Sequence, residues 1–230
     1  MKGWTNVPAI TDLLRRLFEE NRDPVNAEPM ANYMKNHFPF LGIKKPLRSQ
    51  LEKQFFQETG ILKQPFSPEL VRELWDKPER EYQYTALVYL EKMMNQLEKS
   101  DLPFMQQLIT AKSWWDTVDA IAPKPAGTIA KKAPEVIPET IDRWSVHENL
   151  WLRRAAILFQ LKYKQNTNEQ VLYRYIEQNA ASKEFFIQKA IGWALREYSK
   201  TNPDSVQRFI ESAALAPLSV REGSKYLNKR

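Results

Sequence analysis

Four stretches of this chain start 35 residues apart each time: "QYTALVYL" at Gln83, "VDAIAPKP" at Val118, "RRAAILFQ" at Arg153 and "QKAIGWAL" at Gln188. Their third and fourth positions are Thr85-Ala86, Ala120-Ile121, Ala155-Ala156 and Ala190-Ile191, small or branched side chains suited to close helix packing. Constant spacing with weak identity is what a stack of helical hairpins produces, because each unit buries its apolar face on its neighbours. The tetratricopeptide and ankyrin patterns are missing. The expected fold is therefore all-α, a HEAT-like helical-repeat solenoid, forming a single domain over residues 1–230 with no linker-like interruption.

The rest of the sequence agrees with helices throughout. Glycines number six, hairpin signals between alternating strands are lacking, and most of the fifteen prolines fall where helices start or stop. Helices are predicted near 8–20, 25–37, 46–57, 68–75, 79–95, 102–110, 114–122, 134–144, 149–164, 168–178, 183–199, 203–211 and 218–227. In register, the second position of the four repeats reads Tyr84, Asp119, Arg154, Lys189. Core positions do not ordinarily hold an acid, an arginine and a lysine in register, so this column is expected to face solvent or a ligand along a concave surface.

Composition narrows the chemistry. Cysteine is absent, which excludes disulfides and thiolate metal sites. Two isolated histidines, His37 and His147, cannot by themselves supply a zinc site or point to histidine acid–base chemistry, and no tight acidic cluster suggests magnesium. The expectation is no metal and no cofactor, with catalysis resting on carboxylates and aromatics. The net charge of +6 and pI of about 9.3 are only a weak pointer to a polyanionic partner. No apolar run approaches the roughly 20 residues that span a bilayer. The opening "MKGWTNVPAITDLLRRLFEE" reaches charged residues too early for a signal peptide. A cytoplasmic monomer without membrane contact is expected.

The stretch "SWWDTVDAI" (113–121) carries most of the functional signal. Ser113 and Asp116 have capping-box spacing. Trp114 shares a face with Val118 and Ile121 and reads as core. Trp115 and Asp119 share another face at i, i+4. Asp119 lies too deep in the helix to be a cap, so it is either a structural salt-bridge carboxylate, with Arg154 and Lys189 as partners, or a catalytic one. In "NLWLRRAAILFQLKYK" (149–164), Arg153 and Arg154 interrupt an otherwise apolar helix that Lys162 and Lys164 end. They read either as solvated charges or as phosphate contacts. Trp193 follows Lys189 by four residues and so shares its helix face, where a tryptophan is more often core packing. In "FLGIKKPLR" (40–48), Lys44, Lys45 and Arg48 crowd a helix start, where the dipole disfavours cations, and an anionic partner would relieve that. No Walker loop, dinucleotide glycine fingerprint or serine elbow occurs in the sequence. Nothing marks Lys162 or Lys189 as a deprotonated nucleophile.

Five blocks together, "AEPMANYMKNHFPFLGI" (27–43), "RELWDKPEREYQ" (72–83), "KSWWDTVD" (112–119), "WLRRAAILFQLKYKQ" (151–165) and "SKEFFIQKAIGWALREYSKTNPD" (182–204), closely resemble the AlkD-type bacterial alkylpurine DNA glycosylases. The likeness runs over nearly the full chain. It implies a C-shaped solenoid with a concave basic face that cradles duplex DNA, and excision of cationic N-alkylated purines, chiefly 3-methyladenine and 7-methylguanine. By position in the matched blocks, Asp119 corresponds to the catalytic aspartate, and Trp115 and Trp193 to the tryptophans that contact the lesion's sugar. Tyr33 and Arg154, with Lys162 nearby, correspond to DNA-binding residues. Lys44, Lys45, Arg48 and Lys189 join that set through the helix-start and repeat-column arguments. Lys44 departs from the pattern of the family that the chain resembles, in which relatives have glutamine after "FLGI".

The implied chemistry suits these residue types. An N-alkylated purine is already cationic and leaves without a general acid, while the sugar gains oxocarbenium character that a carboxylate stabilises and indole faces support. Most glycosylases extrude the target base. The resemblance implies instead that the lesion stays stacked. The alternatives are a non-catalytic helical-repeat module that binds damaged or branched DNA, and a protein-interaction scaffold.

Overall fold

The computed structural model describes residues 7–227. All its regular elements are helical, and the described residues contain no strand. The chain divides into two compact units, one running through Gln96 and the other beginning at Leu97.

The first unit contains α1 (Val7–Glu20), α2 (Pro24–Tyr33), α3 (Lys45–Thr59), α4 (Pro68–Asp76) and α5 (Arg80–Met93). In α1 the buried residues Val7, Thr11, Leu14 and Phe18 recur at helical spacing and form one stripe. Asp23 caps α2 by accepting from the Val25 and Asn26 N–H groups, and Ser67 caps α4 through the Leu70 N–H; each cap is followed by a proline. The helix predicted to reach residue 37 stops at Tyr33, because Lys35 and Asn36 take left-handed backbone angles (φ 56° and 57°). Phe18, Phe55, Leu70, Leu74 and Tyr89 fill the core of this unit.

The second unit contains α6 (Leu102–Thr110), α7 (Trp115–Ile121), α8 (Gly127–Lys132), α9 (Asp142–Ser145) and α10 (Leu150–Leu158). It continues with α11 (Glu169–Asn179), α12 (Phe185–Tyr198), α13 (Pro203–Ser212) and α14 (Pro217–Gly223). Two expectations need correction here. The helix predicted to end at 122 runs on through a π-helical turn, Ala122–Ala126, into α8. That wider turn admits Pro123 and Pro125, whose missing N–H and ring would break a regular α-helical ladder. The helix predicted over 149–164 ends at Leu158, so Lys162 lies in the turns beyond it.

Within each unit, hydrogen bonds join residues about one repeat apart. Lys132 Nζ donates to the Leu97 carbonyl across 35 residues, Tyr163 Oη to the Gly127 carbonyl across 36, and Asn179 Nδ2 to the Ser145 carbonyl across 34. In the first unit Thr85 Oγ1 donates to Glu52 across 33. These bonds are the physical content of the sequence period: each helical layer satisfies polar groups of the one before it.

Candidate active site

α7 begins at Trp115, with Trp114 as an extended N-cap residue (φ −158°). Ser113 is not the cap expected of it: the N-cap position falls on Trp114, which makes no side-chain cap bond, and the Ser113 hydroxyl donates to the Ile109 carbonyl at 2.7 Å. Val118 and Ile121 are fully buried and fix the rotation of α7. That rotation leaves Asp119 on the flank of the core, with its side chain 18% exposed.

Arg154, on α10, reaches this carboxylate with both arms of its fork. Nε donates to Oδ1 at 2.7 Å and Nη2 to Oδ2 at 2.8 Å. Its remaining arm, Nη1, donates to the Phe186 carbonyl at the start of α12. The Phe186 ring belongs to an aromatic cluster with Trp114 (5.0 Å between centroids) and Trp151 (5.1 Å). One arginine thus ties α7, α10 and α12 together, and the cluster beside it holds the same three segments apolar side to apolar side.

The electrostatics oppose one another. Burial pushes the Asp119 carboxyl above the usual aspartate range, Arg154 pulls it down through its hydrogen bonds and its charge, and Asp116 pushes it up again. The balance is upward. A carboxylate offers about four lone-pair directions, of which a bidentate arginine takes two. An exposed edge of Asp119 therefore remains able to meet a cation.

The sequence reading placed Arg154 among phosphate contacts and its whole column toward solvent. The structure gives it other partners: Arg154 is 4% exposed, and three of its five N–H groups are given to Asp119 and Phe186. Of the two cations named as salt-bridge partners for Asp119, Arg154 is one and Lys189 is not. Lys189 Nζ pairs with Glu222 on α14 at 3.0 Å. Glu222 also takes Arg196 at 3.3 Å and Lys225 at 2.6 Å, and Lys225 first, then Lys189, hold its carboxyl down to about 2. Trp115 and Trp193 are both half-buried, one opening α7 and the other a turn beyond Lys189 on α12. Lys162 is exposed.

The remaining sequence-predicted contacts lie in the first unit. Tyr33 ends α2 and is 71% exposed. Lys44 is the N-cap residue of α3 and Lys45 its first residue, both exposed. Arg48 is less free than expected: its Nε pairs with Glu52 at 3.2 Å, and its guanidinium lies 4.5 Å from the Tyr84 ring centre. The segment before Lys44 is locked by Glu81. Its carboxylate, fully buried, accepts from three successive N–H groups: Leu41 at 3.1 Å, Gly42 at 2.9 Å and Ile43 at 3.1 Å. Gly42 has φ 89°, and a Cβ there would stand 1.9 Å from the Asp23 carbonyl oxygen, so only glycine fits.

Sequence reasoning missed Trp151, Phe186, Glu222 and Glu81. A signal existed for the first two, since residues 151 and 186 are both aromatic and one repeat apart. Glu222 and Glu81 carry no local pattern that separates them from other surface acids.

The DNA alkylation repair enzyme profile matches residues 14–227. A solved structure described as a predicted DNA alkylation repair enzyme from Enterococcus faecalis is 36% identical, with a TM-score of 0.80 over 91% of this chain and 98% of that one. Smu.31 from Streptococcus mutans UA159 is 20% identical with a TM-score of 0.58 over 79% and 98% of the two chains. AlkD2 from Streptococcus mutans is 22% identical with a TM-score of 0.57 over the same shares. The last two establish likeness of fold alone. Comparison with curated proteins gives no match. With a profile match across most of its length and a solved relative above one-third identity, this chain belongs to the DNA alkylation repair enzyme family.

Proposed function

We propose that the protein is a monofunctional DNA glycosylase that hydrolyses the N-glycosidic bond of cationic N-alkylated purines in duplex DNA and leaves an abasic site. The observation that carries this reading is the Asp119–Arg154 pair: a largely buried carboxylate, fixed by two hydrogen bonds, with an exposed edge. A preorganised anion of this kind costs no reorientation when positive charge develops on a nearby sugar. Charge distribution supports a polyanionic substrate. Residues 97–230 hold 20 of the 34 basic and 15 of the 28 acidic residues, so five of the six net positive charges lie in the unit that contains Asp119.

In the proposed reaction the glycosidic bond breaks first, and its electron pair discharges the cationic purine, which leaves neutral. Asp119 stabilises the deoxyribose cation and orients water toward C1′; the water's proton passes to the carboxylate or to solvent. Trp115 and Trp193 offer indole faces to the sugar. Arg154 acts as a positioning residue. A neutral purine at the same site would remain a poor leaving group, which gives selectivity for alkylated bases without a base-reading pocket.

A non-catalytic DNA-binding module is the second reading. What favours it is that both Asp119 oxygens are already engaged by Arg154. Mass analysis of bases freed from N-methylated duplex separates the two. The glycosylase reading expects 3-methyladenine and 7-methylguanine in the soluble fraction; DNA binding without any released base would overturn it.

A further inference from the structure

The first unit contains a hollow of about 570 Å³ between α3 and α5 whose charge is unbalanced. Lys53 projects from α3, Lys63 from the 3-10 turn Ile61–Lys63 and Lys92 from α5, all exposed. None of the three makes an ion pair among the described residues. Glu52, the one acid in the lining, is 4% exposed and committed elsewhere, to Arg48 at 3.2 Å and Thr85 at 3.1 Å. Its charge is taken first by Arg48 and at longer range by Lys92, so one buried acid faces three lysines and the opening keeps an excess of positive charge. The floor is apolar, formed by Phe56, Leu62 and Val88.

We propose that this hollow seats the phosphodiester backbone of a DNA strand, with Lys53, Lys63 and Lys92 as its contacts. The inference rests on the DNA-acting reading above and adds a binding surface to it. Three features choose a strand backbone over a single chelated anion. The cations come from three separate elements. Each is a lysine, a flexible point charge, rather than an arginine fork built to grip one phosphate. The apolar floor suits the lysine stems and the face of a deoxyribose better than it suits a fully hydrated ion.

The test is the salt dependence of binding to an unmodified duplex. Each phosphate contact contributes roughly 0.9 to the slope of log K against log salt. The triple variant Lys53→Gln, Lys63→Gln, Lys92→Gln should flatten the slope by about 2 to 3, while the matching triple Lys→Arg variant keeps the wild-type slope. A Gln variant with the wild-type slope overturns the proposal, as does an Arg variant that flattens equally. If wild type releases alkylated bases and binds DNA yet the Gln slope is unchanged, this inference fails alone. If wild type shows no salt-dependent binding, the DNA-acting reading fails with it.

Discussion

Arg154 grips Asp119 through two parallel hydrogen bonds of 2.7 and 2.8 Å, across 35 residues of sequence and one step of the helical stack. The pair explains how a carboxylate can be withdrawn from water and still be aimed. Burial alone would favour the protonated acid, and the guanidinium offsets that preference without removing it.

Arg154→Ala should therefore do more than weaken folding. Leaving Asp119 without its partner costs about 3 kcal/mol of stability, the usual penalty for breaking a largely buried pair. Activity should fall on the order of 100-fold as the carboxylate loses its orientation. Because Arg154 lowers the Asp119 pKa, its loss raises that pKa further. The acid limb of the pH–rate profile should then lie at higher pH in the variant than in wild type. Single-turnover rates across pH check this, and a limb that stays put would contradict the assignment.

Glu81 makes a second, separable prediction. In Glu81→Gln one acceptor oxygen becomes an NH2 group facing a backbone N–H that needs an acceptor. The lost bonds should cost about 1–3 kcal/mol. Amide exchange should quicken first at Leu41, Gly42 and Ile43, the three groups it now binds. Hydrogen exchange resolved to those amides is the measurement, and unchanged protection there would show that the carboxylate does not hold the loop.

The Glu222 cluster gives a stability signature in acid. Its folded carboxyl is held down to about 2 by Lys225 and Lys189, below the ordinary glutamate value of 4.5. A depressed acid stabilises the fold fully above its unfolded pKa and loses that contribution as pH falls through the folded one. The melting-temperature gap between wild type and Glu222→Gln should be full above about pH 4.5 and close as pH approaches 2. A gap independent of pH would mean the ion pairs with Lys189, Arg196 and Lys225 contribute nothing.

The sequence carried the helical class and the repeat because both are periodic: 35-residue spacing appears as the Asp119–Arg154 bond itself. Most helices fall within a few residues of their predicted bounds. Two misplaced ends have local causes, the left-handed turn at Lys35-Asn36 and the π-helical turn that carries the chain through Pro123 and Pro125. Residue pairing was only partly legible. Arg154 was recognised as a partner for Asp119, yet its burial was not, since nothing in "WLRRAAIL" tells which arginine turns inward. Glu81 and Glu222 were invisible because their partners are backbone amides or cations from other helices, which only the folded chain brings near.

The account stands or falls on the carboxylate of Asp119. The most direct measurement is mass quantitation of 7-methylguanine released from methylated duplex by wild type and by Asp119→Asn, with thermal melting to confirm that the variant is folded. The account predicts steady release by wild type and a fall of at least roughly 100-fold in the folded variant, as removal of one preorganised electrostatic group produces. Equal release by the two proteins would contradict it.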